Sequence, residues 1–484
     1  MASKVFAVFA IIVIGLVVIL YFITPQEELG LPPSPEENIY SDGDNWSDFQ
    51  ELMFGSNSHL ADTDGDGLQD DADRDPLTSI NLEVLESAPT ELDSENIRNA
   101  VDIWPKLFEN TTQTIYLETY YVADSVPSKI YNALKGAGER GVKVKILLDK
   151  EMYEDDPSQA DYLNSLKNIE VRTLNVGELS GGWLHSKYFV IDGRVAFVGS
   201  QNWSWTALED GREIGALVRS KAFGEALVSI FEADWVKSGG SPLTPQRSND
   251  TDGDSWPDDY ERWVSTSRTN PDTDNDGIPN SRDSNPFVPL DTSVAGASVE
   301  WFYPVETAPT GDLDNPYIRD TENVLCELIN SASENIRAQL YQYSTAGNYT
   351  MLDNALRKAA NRGVEVKVLV DNKSHLNTDY PHPEVLDNLA IVPGISVKII
   401  DIEAIGEWPG GGWVHTKVLS VDGERAYVGS ANWFAPHMSH EITLGGWHAG
   451  PTRDVGIVFK SPETVRILEN IFTQDWNSEY AGAL

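Results

Sequence analysis

The chain has 484 residues, enough for two or three domains with real cores, and 40% hydrophobic content with 14 Trp and 18 Tyr excludes a disordered chain. It carries 76 acidic against 35 basic residues, a formal net charge of −41. That balance works against non-specific nucleic-acid binding, which needs basic residues to release counterions, without forbidding a local basic pocket. Cys326 is the one cysteine, so no intrachain disulfide forms.

Residues Val5 to Ile23 are uncharged and almost wholly apolar, long enough for a ~30 Å hydrocarbon core. Lys4 precedes them, and Glu27, Glu28, Glu36 and Glu37 follow. Positive flanks stay inside, so the N-terminus is expected in the cytoplasm and the rest outside. Residues 1–24 therefore read as a single-pass cell-membrane anchor. A cleaved signal peptide is the alternative, disfavoured because no A-x-A-like site follows. Residues 25–38, with Pro25, Pro32, Pro33 and Pro35, read as a stiff linker.

An Asp-rich module follows at 39–80 and recurs at 248–290. Asp62, Asp64, Asp66, Asp70 and Asp73 occupy positions 1, 3, 5, 9 and 12 of a twelve-residue EF-hand-type loop, with Gly67 at the turn. Asp272, Asp274, Asp276, Asn280 and Asp283 repeat the pattern around Gly277. Asp250, Asp252, Asp254, Asp258 and Glu261 make a third loop, with Ser255 replacing the glycine. Its counterpart has Asp42, Asp44, Asp48 and Glu51 but Tyr40 at position 1, and is expected to have lost affinity. These runs resemble thrombospondin type 3 repeats and dockerin-type paired loops. Hard oxygen ligands favour Ca²⁺ over transition metals. A merely acidic linker would not keep this register. The calcium is expected to be structural, with no cofactor required for the chemistry.

Each module precedes an α/β lobe, 81–240 and 291–484. Ile115–Tyr121 reads as a strand, Val126–Arg140 as an amphipathic helix and Val142–Leu148 as a buried strand. Ile336–Tyr343, Tyr349–Arg362 and Val364–Val370 repeat the order. The chain is thus a duplication, and the alternation implies βαβ units in a largely parallel or mixed sheet.

Each lobe then carries a hairpin. Trp183 to Ile191, an Asp192-Gly193 turn and Arg194 to Ser200 give the first. A two-residue turn pairs His185 with Ser200 and Trp183 with Asn202, and alternation sets His185, Lys187, Ser200 and Asn202 on one face. Asp422-Gly423 does the same for His415, Lys417, Ser430 and Asn432. An imidazole, an ammonium, a hydroxyl and an amide on one face make a phosphate-binding half-site. Asp192 and Asp422 read as turn residues, and Trp203 and Trp433 as core. A lone histidine on a strand is ordinarily a packed or surface residue; two matched sets are not.

Both hairpins fit H-x-K-x4-D-x6-G-S-x-N at every defined position, and the chain resembles the phospholipase D superfamily over nearly all of 81–240 and 291–480. The final stretch, ending Asp475-Trp476-Asn-Ser-Glu-Tyr480, also looks like the membrane-anchored, lysosomal phospholipase D-like exonucleases. The resemblance implies two lobes related by pseudo-twofold symmetry with one active site at their junction. It implies His185 as nucleophile forming a phosphohistidine, and His415 as general acid. Lys187, Lys417, Asn202 and Asn432 would hold the non-bridging oxygens. A downstream carboxylate orients each histidine, Glu213 for the first and Asp454 for the second. The second lobe departs from the pattern by its shorter acid and an extra loop, 436–450. His437, His440 and His448 in that loop match no standard metal spacing and read as solvated.

The expected function is a phosphodiesterase acting on phospholipid headgroups by hydrolysis or phosphatidyl transfer, a choice favoured by the anchor. A single-strand nuclease or exonuclease is the alternative. A non-enzymatic, calcium-dependent surface protein would call for a spoiled motif, and neither motif is spoiled.

Overall fold

The computed structural model describes residues 40–54, 56–64, 69–73, 76, 81–243, 251–254, 266–274, 279–280, 285–287, 299–316, 318–373, 384–407, 412–444 and 446–484. The apolar stretch 5–23 and the linker 25–38 lie outside these residues, as do the loop positions Asp66, Asp250, Asp258, Glu261, Asp276 and Asp283. Among the described residues no helix is long and apolar enough to cross a membrane.

The first lobe is built on eight strands: β1 (Asn81–Ser87), β2 (Arg98–Asn99), β3 (Thr114–Thr119), β4 (Lys143–Asp149), β5 (Ile169–Leu174), β6 (Lys187–Ile191), β7 (Val195–Gly199) and β8 (Glu213–Arg219). Their order in the sheet is β2-β1-β8-β7-β6-β3-β4-β5. The β-branched, apolar run of β4 pairs parallel to β3 and β5, as strands covered by helices on both faces do. Helix Ser128–Arg140 starts after Pro127 and stops at Gly141, whose φ of +104° is a left-handed cap that suits glycine.

The second lobe repeats this order with β9 (Trp301–Thr307), β10 (Arg319–Asp320), β11 (Asn335–Leu340), β12 (Glu365–Asp371), β13 (Ile395–Ile400), β14 (Lys417–Val421) and β15 (Arg425–Gly429). A small separate hairpin, β16 (Ile442–Leu444) and β17 (Trp447–Ala449), comes from the extra loop. The sheet is completed by β18 (Asp454–Lys460), and a last strand, β19 (Ala481–Ala483), extends it beyond β13. The α/β class and the two equivalent lobes are therefore as the duplication implies.

The lobes share a core. Val190, Val198 and Ala216 of the first belong to one buried apolar cluster with Val418, Val428 and Val455 of the second. The modules also meet: Asn285 Nδ2 donates to the Asp73 carbonyl (2.7 Å), and Phe287 packs edge-on against Phe54.

One expectation is corrected. Ile191 pairs with Val195 and Val421 with Arg425, so each hairpin closes through three residues, not two, and the His185–Ser200 pairing is displaced by one. The cause is the aspartate in the turn. Asp192 sits at φ +50° while its carboxylate accepts from the amides of Thr112, Gln113 and Thr114 at 2.8–2.9 Å. Asp422 does the same for Ser333, Glu334 and Asn335. Three amide bonds to one carboxylate fix the wider loop.

Candidate active site

The chain ahead of each hairpin leaves its own sheet and crosses to the other lobe. Leu184 bridges to Arg453, with the His185 amide donating to the Arg453 carbonyl (2.8 Å). Arg212 and Val414 make the reciprocal bridge, His415 N donating to Arg212 O (2.9 Å). Each histidine is thereby laid beside the carboxylate strand of the opposite lobe. An aspartate ending a βαβ strand holds each crossing: Asp149 accepts from Leu184 N and Asp371 from Val414 N, both at 2.8 Å.

His185 Nδ1 donates to Asp454 Oδ1 at 2.9 Å, and His415 Nδ1 faces Glu213 Oε2 and Oε1 at 3.0 and 3.1 Å. The carboxylates are exchanged between lobes, which corrects the expected pairing of Asp454 with His415. With Nδ1 occupied, each ring keeps Nε2 for chemistry. The ring centroids are 6.5 Å apart in an edge-to-face arrangement, leaving room for one phosphoryl group between them.

Lys187 and Lys417 are buried beside the rings, each ammonium donating to the carbonyl of its own lobe's histidine. Asn202 lines a cleft with Tyr121, Gly211, Glu213, Trp413 and His415. The side-chain oxygens of Asn202 and Asn432 are buried without a hydrogen-bond partner. Ser200 and Ser430, expected to touch substrate, bond inside the protein instead. The Ile214 amide donates to Ser200 Oγ (3.1 Å), and Ser430 Oγ donates to Asp454 Oδ1 (2.8 Å). Trp203 and Trp433 are core residues, as expected.

Burial is the largest cause of the shifts at the two imidazoles and the two lysines, whereas His437 and His185 hold Asp454 well below the usual carboxylate range against it. Burial holds both imidazoles neutral. Lys187 and His437 add to it at His185, which lies well below the usual histidine range. Glu213 partly opposes it at His415, held down to about 4. Burial also lowers Lys187 to about 7 and Lys417 well below the ordinary lysine range. A phosphodiester anion is the charge such a site lacks.

Two buried arginines brace the junction. Arg212 pairs with Glu86 and, at 2.9 Å, with Asp475 of the second lobe's last helix. Arg453 pairs with Glu306 and, at 2.7 Å, with Asp234 of the first lobe's last helix. The repeated Arg-Glu/Asp-x-Gly and Asp-Trp pairs in the sequence (Arg212 and Arg453, Asp234 and Asp475) are the signal that finds them.

The extra loop is only partly the solvated segment expected. His440 is exposed against Glu322, and His448 is exposed beside Thr443. His437 is buried, 4% exposed, with Nδ1 donating to Asp454 Oδ2 at 2.7 Å. Its ring lies 4.7 Å from that of His185. Thr307 Oγ1, donating to its carbonyl, and the tight approach of Gly450 to Ser180 draw it in.

His185, His437 and Asp454 also offer ligand atoms within 4.8 Å of one another, but hydrogen bonds already satisfy them. In the first module Asp42, Asp44 and Glu51 converge equally closely. Asp44 is 5% and Glu51 0% exposed, and one oxygen of each of the three has no hydrogen-bond partner. Burial, with the neighbouring acids Asp42 and Asp70, pushes Asp44 up to about 6 and Glu51 to about 8. Those orphaned oxygens fit a hard cation, in the loop discounted for Tyr40. In the loops expected to be competent, Asp70 accepts from Thr63 N (2.7 Å) and Asn280 from Thr273 N (2.8 Å), so position 9 braces the turn.

The family described as cardiolipin synthase, PLD-like domain, matches residues 106–235 and 325–476. The chain is 24% identical to a probable phospholipase D of Caenorhabditis elegans over 82% of its length and 70% of that protein. It is 25% identical to the human 5'-3' exonuclease PLD4, over 85% of this chain and 80% of that one. Among solved structures, phosphatidylserine synthase of Haemophilus influenzae shares the fold at a TM-score of 0.52 and 13% identity, covering 79% of this chain and 85% of that one.

Proposed function

On the premise that this chain belongs to the PLD-like domain family, we propose that it is a phosphodiesterase that cleaves single-stranded nucleic acid through a phosphohistidine. His185 Nε2 attacks phosphorus while the P–O bond to the leaving group breaks, and His415 Nε2–H gives that oxygen its proton. Water then attacks phosphorus, His415 takes the water's proton, and the P–N bond breaks. Lys187, Lys417, Asn202 and Asn432 would hold the non-bridging oxygens as they gather charge.

The observation that carries the choice of substrate is the rim. Trp413, 42% exposed, stacks on Tyr341 (centroids 6.0 Å, planes 9° apart), and Tyr341 packs 4.7 Å from the His415 ring. An aromatic path from solvent to the acid suits stacked bases, which bind such surfaces whatever their sequence. A phospholipid headgroup is the competing substrate, favoured by the apolar N-terminal stretch. Yet the exposed large aliphatic and methionine residues among those described, Leu60, Val236, Met351, Ile391 and Leu484, lie on separate segments. We further read residues 5–23 as the anchor holding the catalytic region outside the membrane, and the two modules as structural Ca²⁺ sites.

The test is a paired assay on the full chain with calcium present, with the His185→Ala/His415→Ala variant as blank. Labelled single-stranded DNA and RNA form one arm, phospholipid vesicles with a short alcohol the other. Strand cleavage without headgroup release is expected; headgroup release or alcohol exchange alone would transfer the assignment to lipid.

A further inference from the structure

We propose that His437 is a positioning residue of the active site, tying the amide of Asn432 to the carboxylate that orients His185. The proposal rests on the phosphodiesterase reading and extends it to a residue outside the two repeated motifs.

The geometry is a continuous chain of hydrogen bonds from His185 through Asp454 and His437 to Asn432. Asp454 accepts from His185 through Oδ1 (2.9 Å) and from His437 through Oδ2 (2.7 Å). Thr452 Oγ1 donates to the second oxygen and Ser430 Oγ to the first, so the carboxylate is fixed from four sides. A carboxylate can only accept here, so Nδ1 of His437 carries a proton, and the neutral ring then offers Nε2 as an acceptor. Asn432 Nδ2 lies 3.3 Å from that Nε2. One N–H of Asn432 is thus held by His437, and the other is left to aim at a phosphoryl oxygen.

The two lobes show why the second needs this residue. Counting from the motif asparagine, His437 stands where the first lobe has Ala207. Ala207 and Asn202 line the cleft beside Glu213 and His415, with no imidazole between them. There the longer acid, Glu213, turns both oxygens on one histidine. In the second lobe the acid is one methylene shorter and the neighbour is larger, so the oxygens are divided between two rings. The pairs Glu213 with Ala207 and Asp454 with His437 are two solutions of one packing problem. The imidazole fills the space the shorter acid vacates and supplies its second donor.

A misplaced Asn432 weakens transition-state binding more than ground-state binding. His437→Ala should lower kcat on bis(4-nitrophenyl) phosphate about 10- to 100-fold with KM changed less than about threefold. His437→Ala/Asp454→Glu, which rebuilds the first lobe's arrangement, should recover about tenfold of that loss. Independently of turnover, ¹⁵N-histidine spectra of the wild type should show three imidazole N–H groups bonded to buried carboxylates, and the His437→Ala protein two. Unchanged kcat in the single variant, or a double variant no better than the single, overturns the proposal. So does a spectrum that keeps all three signals. A wild type that turns nothing over overturns the phosphodiesterase reading, and the spectra then decide the hydrogen bonding of His437 alone.

Discussion

Asp454, in the second lobe, accepts the Nδ1 proton of His185, in the first, at 2.9 Å, and Glu213 returns the arrangement to His415 at 3.0 Å. Neither lobe therefore holds a finished half of the site. Each supplies the other's orienting acid, on a strand that also donates and accepts main-chain hydrogen bonds across the junction.

Removing one orienting charge should be costly to chemistry and mild for folding. Glu213→Gln keeps the shape but turns an amide toward His415 Nδ1, which stabilises the wrong tautomer. By analogy with the aspartate of a serine-protease triad, kcat should fall by about 10³–10⁴. KM and melting temperature should stay close to wild type. A loss under about threefold would mean that Glu213 does not orient His415.

The pH dependence follows from the neutral imidazoles. In the free protein, protonated His415 is lost as pH rises through about 4, and charged Lys187 as it rises through about 7. Log kcat/KM should fall with rising pH above ~4 and more steeply above ~7. A bound phosphodiester anion favours the imidazolium, so the falling limb of kcat should lie at higher pH than that of kcat/KM. Profiles from pH 4 to 8.5 check this; an alkaline optimum contradicts it.

Glu118 gives the junction a pH-dependent stability. Burial first, then the charge of Asp234, push its carboxyl up to about 8. Gln339 occupies the equivalent place in the second lobe and donates to Asp475 at 2.7 Å. A carboxyl with a raised folded pKa binds its proton more tightly when folded, so stability is lost as pH rises from the ordinary glutamate range through about 8. Glu118→Gln should flatten that decline and raise the melting temperature at pH 8 more than at pH 5. Thermal scans at both pH values decide it.

Arg453 is the corresponding test of packing. Arg453→Ala leaves Asp234 and Glu306 buried with no cation between them, and should cost about 3–5 kcal/mol in urea denaturation. A change below about 1 kcal/mol would show that the junction is not closed around this guanidinium.

Calcium should stabilise the folded chain through its modules. Excess EDTA should lower the melting temperature by several degrees, since a ligand at about 100 times its Kd contributes about 2.7 kcal/mol. Glu51→Gln, in the loop that lacks a position-1 acid, should reduce the shift. An unchanged melting curve in EDTA removes calcium from the account.

Much of this was legible in the sequence, because the chain says most things twice. The two His-x-Lys motifs, the Asp-Gly turns and the strand–helix–strand repeats each appear at matching places, and the fold repeats them in the same order. The exchange of carboxylates was not legible. Spacing along the chain relates His185 to Glu213 as readily as to Asp454, and only the crossing strands at Leu184 and Val414 choose between them. The wider turns were hidden for a similar reason: Asp192 is set by three amides some eighty residues earlier. His437 was missed because it has no counterpart in the first lobe, and a duplication is silent about whatever it does not copy.

The most direct test of the central claim is to trap the covalent intermediate. His415→Asn lacks the group that deprotonates water in the second step, so it should accumulate phosphoenzyme when given an activated phosphodiester. Rapid quench, digestion and mass spectrometry would locate the adduct. An acid-labile phosphoryl group is expected on the peptide containing His185, absent from His185→Ala. An adduct elsewhere, or steady turnover with none on His185 under any quench, would contradict it.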